Sequence, residues 1–504
     1  MKRFLLLLLS LSLGLNNITS QELQPANSPS RAQRLMLQRA YGMFITYGIN
    51  TFAETEWSDG SIPASRYNPT ELDCDQWIRV ARDAGFRYIL LTTKHHDGFC
   101  LWDSKYTDYD VASSPVKTDV VAEVAKACKK YGLKFAVYYS FWDRHEPTYR
   151  DPDFGKYIDF MCNQLEELLT NYGKICEVWF DGAWDKKAAD WEMPRIYRLI
   201  KKLQPDCVVG VNQTIMNTEE GAAAFGSPAG RHLIPLEKMT EDNKYYIQYF
   251  PSDFRLWDPR VAHVKDKKQY LYNGKSYYLP FEHTVCISKY WTWYAKKDPE
   301  PCRDLDELEE LFYQCTANGN TLLLNLPPDQ RGKIRAHEAN TAILLAQRLG
   351  LKKGKPLPQN GTFVNLDAKA EASSVWENNE KAFGPQKAVD GGMLSRWAAS
   401  ELLPELVIDL DSQKSFNKLA IYEYMDQVYV NNGFTNYRKN RIQRYTIDVE
   451  RKGEWETVYV GDQPMNDCKV IKFAAPVKAD KIRLKVLAAT EIPSIYEFRV
   501  ISMP

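Results

Sequence analysis

The chain has 504 residues, 44% of them hydrophobic, with 65 Lys+Arg against 65 Asp+Glu and a formal net charge of zero. That apolar content buries a large core, which excludes general disorder, and the length holds about three domains' worth of chain. Zero net charge excludes a protein that holds nucleic acid by neutralising phosphates.

Met1-Lys2-Arg3 precede an apolar run from Phe4 to Leu15. A charged start followed by about 12 apolar residues is the pattern of a secretory signal. The run falls short of the roughly 20 residues that a spanning helix needs. Small and polar residues follow at Thr19, Ser20 and Gln21, so residues 1–20 read as a signal peptide cleaved near Ser20. No Cys follows to form a lipoprotein box, and no other apolar run is long enough to cross a membrane. The mature protein is expected to be soluble and periplasmic or secreted. All ten Cys lie in the mature part. Cys128, Cys162, Cys176 and Cys207 sit in apolar segments, where a free thiol behaves as a small hydrophobe. No CxxC spacing points to zinc, so mostly reduced core cysteines are expected.

From Gly42 to about Leu349, short apolar runs alternate with amphipathic stretches. The runs predict strands over Met43–Ile49, Tyr88–Thr93, Phe135–Ser140, Cys176–Asp181, Val208–Asn212 and Leu322–Leu326. Weaker strand patterns cover Tyr246–Phe250 and Thr284–Ser288. Helical periodicity covers Cys74–Ala84, Val120–Tyr131, Lys156–Tyr172, Met193–Leu203, Leu305–Ala317 and Ala336–Leu349. Gly85 and Gly132 stand where helix C-caps want them. Strands apolar on both faces, alternating with helices, indicate a parallel sheet. About eight of them in some 310 residues fit an α/β fold of the (β/α)8-like barrel type, expected over residues 21–350. A doubly wound open sheet is the alternative, but no Gly-rich phosphate loop follows the first strand.

Residues 351–362 read as a linker, basic and Pro/Gly-bearing over Leu351–Asn360. Beyond it, residues 363–504 change texture. Strand-like runs recur at Glu405–Leu410, Lys418–Tyr424, Arg444–Glu450, Glu456–Val460, Lys469–Phe473, Lys481–Val486 and Tyr496–Ser502, without helical patterns between them. This predicts an all-β sandwich.

Barrels of this type carry their active sites at the C-terminal ends of the strands. There the sequence reads Lys94-His95-His96-Asp97-Gly98-Phe99, then Tyr138-Tyr139-Ser140, then Trp179-Phe180-Asp181-Gly182, then Asn212-Gln213. Aromatic rings beside carboxylates and histidines suit a sugar, which offers apolar C–H faces and a fringe of hydroxyls. Asp181 ends an apolar strand. It either faces the pocket or caps the next helix, and Gly182-Ala183-Trp184 delays that helix. Retaining glycosidases need two carboxylates about 5–5.5 Å apart, and Asp181 suits the nucleophile. His95 and His96 are neighbours on an extended chain and point to opposite sides, so they are not expected to share a metal. The loop Asn50–Gly60 is dense in acids and carries Trp57.

Taken together, Gly42–Ile45, Asn50–Gly60, Lys94–Phe99 with Trp102, Val178–Gly182 and Asn320–Gly332 resemble the retaining α-L-fucosidases of glycoside hydrolase family 29. The resemblance implies Asp181 as nucleophile and fucose contacts from His95 and His96; Tyr138 and Trp179, aromatic residues at the strand ends, are expected to line the sugar site. It implies substrate contacts from Glu56 and Trp57, as in the subgroup acting on branched α-1,3/1,4-linked fucose. Where the family has a histidine that touches the sugar, this chain has Thr46. The acid/base implied is Glu219, with Glu282 as the alternative. No cofactor is implied for catalysis. The implied partner is a fucosylated oligosaccharide or glycoconjugate, not a nucleic acid or a membrane.

The tail resembles discoidin-like (factor 5/8 type C) modules through Ala388–Gly391, Arg396–Ala398, Leu406–Leu410, Ile442 with Tyr445, and Glu497–Val500. The resemblance implies one structural calcium at Asp390, Ser395 and Glu497, since calcium seeks oxygen ligands. Two other readings stay open at this point. One is a β-D-galactosidase or dual-specificity glycosidase on the same barrel; the other is a carbohydrate-binding protein without turnover.

Overall fold

The computed structural model describes residues 25–186, 189–212, 215–217, 245–247, 252–256, 264, 268–393, 395–424, 428–430, 433–435 and 440–504. The leader-like stretch lies outside the described residues.

Eight strands close into a parallel barrel: Tyr41–Ile45, Tyr88–Lys94, Lys134–Ser140, Ile175–Asp181, Val208–Asn212, Phe254–Leu256, Phe281–Cys286 and Thr321–Asn325. Each pairs with its sequence neighbour among the eight, and the last pairs with the first, Tyr41 opposite Leu322. Strands covered on both faces read as continuous apolar runs, which is why all five residues of the first strand and all seven of the second are buried. Helices Cys74–Asp83, Val120–Tyr131, Gly155–Asn171, Met193–Leu203, Leu305–Thr316 and Ala336–Leu349 belong to the barrel's outer layer. The core between strands and helices holds Ile45, Leu91, Val137, Phe180 and Val211. A second, inner cluster fills the barrel itself with Phe44, Leu90, Tyr138, Trp179, Phe254 and Leu323. The two clusters use alternate residues of the same strands, as period-two side chains require.

The sixth barrel strand differs from expectation. It is Phe254–Leu256, whereas the Tyr-rich run expected there supplies Tyr245–Ile247 to a separate four-stranded sheet with Ile215–Asn217, Gln269–Tyr272 and Lys275–Tyr278. Three residues are too few to display a periodicity, so the aromatic run dominates the sequence signal.

The C-terminal part is an antiparallel β structure. Two of its strands are far longer than expected. Glu405–Glu423 joins two predicted strands, and Cys468–Ala489 joins another two. Their pairing shifts register between Asp409 and Lys414, and again between Phe416 and Lys418. Such irregularities bend a strand without ending it. Its own core packs Trp397, Leu406, Phe416, Tyr445, Leu484 and Phe498.

A buried ionic cluster joins this part to the barrel helix Leu305–Thr316. Lys418 lies 3.0 Å from Glu309 Oε1 and also bonds Glu310. Tyr422 donates its hydroxyl to Glu310 at 2.9 Å, and Lys472 reaches Glu309 at 2.8 Å. The charges are paired on both sides, which is the condition for burying them.

Candidate active site

Glu177, Trp179 and Asp181 share one face of the fourth strand, directed into the barrel. Asp181 ends that strand and so sits at the barrel's C-terminal mouth. Its Oδ2 accepts the Tyr138 hydroxyl at 2.7 Å, and its Oδ1 accepts the Asn212 amide at 3.1 Å. These come from the neighbouring strands on either side. Burial pushes the carboxyl up to about 6, with the Tyr138 and Asn212 bonds pulling it back down. Gly182 follows at φ +82; a Cβ there would lie 2.7 Å from the Trp142 Cβ. Glycine therefore lets the third and fourth strand-end loops meet over the carboxylate.

His95 and His96 follow the end of the strand Tyr88–Lys94 and, instead of pointing to opposite sides, both line the cavity with their rings 4.2 Å apart. His96 Nε2 stands 3.6 Å from Asp181 Oδ2, and its Nδ1 is 2.6 Å from Ser140 Oγ. His95 stacks on Tyr138 with centroids 5.7 Å apart. Burial lowers both imidazoles, His95 to about 3, so both are neutral. His95 Nδ1, Trp179 Nε1 and Thr92 Oγ1 are buried and have no hydrogen-bond partner among the described residues.

The cavity has about 510 Å³ of space, part of it open to solvent. It is lined by Thr46, Glu56, Trp57, His95, His96, Tyr138, Trp179 and Asp181, all singled out from the sequence. Phe44, Thr92, Trp184, Asn212, Trp291 and Thr292 complete it. Asn212 was visible as a strand-end residue but carried no assigned role. Phe44 shares the inward face with Thr46, two residues on, and that parity was the available signal. Phe44 lies within 6.2 Å of the rings of Tyr138, Trp179 and Trp291, and these four form the floor. Thr46 Oγ donates to Asn325 Oδ1 at 2.8 Å, and Asn325 donates to the Trp291 carbonyl at 2.9 Å. The Thr46 hydroxyl proton is thus directed at protein.

Glu56 lines the cavity, and its carboxyl is held at about 7 by burial first and the Asp181 charge second; Lys297 opposes both. Trp57 stands 46% exposed at the mouth, edge-on to His96 and Trp142. Glu219 lies outside the described residues. Glu282 is not brought to the cavity. It pairs in register with Thr321, the first residue of its strand, at the barrel's N-terminal end. There it accepts the Tyr88 hydroxyl at 2.6 Å, and burial and Glu177 hold its carboxyl well above the ordinary range. Glu177 in turn takes Arg39 at 2.6 Å. Asp181 lies four residues beyond Glu177 on the same face, roughly 13 Å along the strand. Glu282 therefore cannot protonate a group held by Asp181. In the C-terminal part, Asp390 accepts from Gly392 N and Ser395 Oγ, while Glu497 Oε2 accepts from Gly391 N at 3.2 Å. Asp390 and Ser395 are thus bonded to each other on the turn, and Glu497, from the strand Ser494–Ser502, holds the Gly391 amide beside them.

An eight-stranded parallel barrel with a buried, aromatic-floored carboxylate at its C-terminal mouth is the architecture of a glycoside hydrolase. The comparisons narrow the class. The alpha-L-fucosidase family profile matches residues 38–347, and the F5/8 type C domain profile matches residues 369–498. The chain belongs to the alpha-L-fucosidase family, glycoside hydrolase family 29. Alpha-L-fucosidase 1 of Arabidopsis thaliana is 32% identical over 93% of this chain and 86% of its own length. A solved glycoside hydrolase 29 family member from an unknown rumen bacterium is 26% identical, with TM-score 0.53, over 96% of this chain and 78% of that one. A Ruminococcus gnavus family 29 fucosidase solved with fucose shares the fold at 23% identity and TM-score 0.54, over 97% and 98% of the two chains.

Proposed function

We propose that the protein is an exported exo-glycosidase that removes α-L-fucose, α-1,3/1,4-linked on branched glycans, with retention of configuration. The single observation that carries this reading is Asp181, ionisable near neutral pH and steadied from both sides by Tyr138 and Asn212. Asp181 attacks the anomeric carbon while a glutamic acid gives its proton to the departing oxygen. The glutamate then takes a proton from water, which displaces Asp181. The two inversions sum to retention.

Two glutamates compete for the proton transfer. Glu219 is the one the family resemblance implies. Glu56 is the acid that the described cavity presents, with a carboxyl suited to acting as acid first and base second. Azide added to Glu56→Gln and Glu219→Gln separates them, because only loss of the true acid/base leaves a glycosyl-enzyme that an external nucleophile can discharge.

The four-ring floor favours a sugar bearing an apolar substituent, as the methyl of a 6-deoxy sugar is. The unpartnered His95, Trp179 and Thr92 atoms offer partners for hydroxyls. The small Thr46 side chain also favours a second reading, a β-D-galactoside with its extra hydroxymethyl group. Aryl α-L-fucoside is expected to turn over far faster than aryl β-D-galactoside; the reverse order would reassign the sugar. Mature protein is expected to begin near Gln21. Asp390, Ser395 and Glu497 would hold calcium in the C-terminal part, a structural role that raises melting temperature and leaves the barrel chemistry untouched.

A further inference from the structure

Ser140 ends the third barrel strand, directly opposite Asp181 in the register, and is fully buried. Its Oγ lies 2.6 Å from the Trp142 carbonyl oxygen and 2.6 Å from His96 Nδ1. A carbonyl oxygen only accepts, so the single Ser140 hydroxyl proton is committed to Trp142. Were it turned to the imidazole instead, two oxygens would meet at 2.6 Å with no proton between them. Ser140 Oγ must then accept from His96, which places the ring proton on Nδ1. His96 is buried and neutral, so its Nε2 carries a bare lone pair, and that lone pair faces Asp181 Oδ2 at 3.6 Å.

We propose that Ser140 is a positioning residue that locks His96 in the Nδ1–H form, so that Nε2 accepts a substrate hydroxyl beside the nucleophile and never donates to Asp181. This rests on Asp181 being the nucleophile. In the other tautomer Nε2–H would donate to Asp181 Oδ2, stabilise its carboxylate and blunt its attack. The carboxylate would then have one more donor besides Tyr138, Asn212 and the Gly182 backbone N–H. Among the described residues, the groups facing this pair are Glu56, Tyr138, Asn212 and the Gly182 backbone N–H toward Asp181, and His95 and Arg144 toward His96. The rings of Trp57, Trp142 and Trp184 cover the remaining side of His96.

The test has two arms. In ¹⁵N NMR of the wild-type histidine side chains, His96 should show a protonated Nδ1 and an unprotonated Nε2 across pH 5–8. A protonated Nε2 in the free enzyme overturns the proposal. In the second arm, Ser140→Ala releases the ring. Its acid limb in kcat/KM should move to lower pH, and kcat should fall about tenfold, the worth of one added bond to a charged group. Ser140→Thr should restore both. A Ser140→Ala enzyme with wild-type kcat and an unmoved acid limb overturns the proposal. Failure of the nucleophile reading looks different, because Asp181→Ala would keep its turnover while the NMR result stood. The NMR arm needs no variant and decides the tautomer even if Ser140→Ala does not fold.

Discussion

The Tyr138 hydroxyl donates to Asp181 Oδ2 at 2.7 Å, from one barrel strand to the next. The bond stabilises the ionised carboxyl against a burial that otherwise disfavours it. On the proposed reading, this keeps Asp181 usable as a nucleophile near neutral pH.

Tyr138→Phe removes that donor and keeps the ring. A hydrogen bond to a charged group contributes about 1.5–3 kcal/mol, so the Asp181 carboxyl should rise by about one to two units from about 6. The ionised form is the reactive one. The acid limb of kcat/KM should therefore move to higher pH, with the loss largest below pH 6 and shrinking above pH 8. A uniform loss at all pH values would assign Tyr138 to substrate binding alone.

Glu282→Gln should leave kcat and KM close to wild type, since Glu282 lies at the far end of the barrel from Asp181. Its effect belongs to stability. The carboxyl is held above its unfolded value by burial and by Glu177. Such a group contributes stability that is fully present below the unfolded pKa and is lost as pH rises toward the folded one. Gln stays neutral and removes that loss. Glu282→Gln should thus melt higher than wild type at pH 7–8, and the difference should vanish near pH 4. Melting curves at four or five pH values check the sign.

Lys418→Met should destabilise the join between the two parts. Lys418 pairs with both Glu309 and Glu310, which are buried in the helix Leu305–Thr316. Glu309 keeps Arg348 and Lys472, whereas Glu310 keeps the Tyr422 hydroxyl and Arg499 at 3.9 Å, so the loss should stay below that of a buried pair broken outright, about 3–5 kcal/mol. Thermal melting should fall by several degrees, and Glu310→Gln added to Lys418→Met should recover part of it. Full additivity of the two losses would show that the residues act apart.

The barrel was legible because its strands are buried on both faces. Runs such as Tyr88–Lys94 and Ile175–Asp181 read as parallel strands, of a barrel or of a doubly wound sheet, and their ends deliver His95, His96 and Asp181. Phe254–Leu256 was not legible, since three residues carry no period. The strand Glu405–Glu423 spans the two apolar runs Glu405–Leu410 and Lys418–Tyr424, because the chain passes through the polar stretch between them with a register shift instead of turning. Glu282 misled for a different reason. The family resemblance implies a position for it, but only the register shows that it stands near the start of its strand while Asp181 closes its own. Thr46, Phe44 and Trp291 come together through Asn325 and ring contacts between distant strands, which no local pattern encodes.

The central claim is that Asp181 attacks the sugar. The most direct measurement follows the first-formed product by ¹H NMR, for wild type and for Asp181→Ala with azide. Wild type should release α-L-fucose before mutarotation. Asp181→Ala should lose roughly 10⁴-fold in turnover and, with azide, yield the β-L-fucosyl azide. First release of β-L-fucose by wild type, or near-normal turnover by Asp181→Ala, would contradict the account.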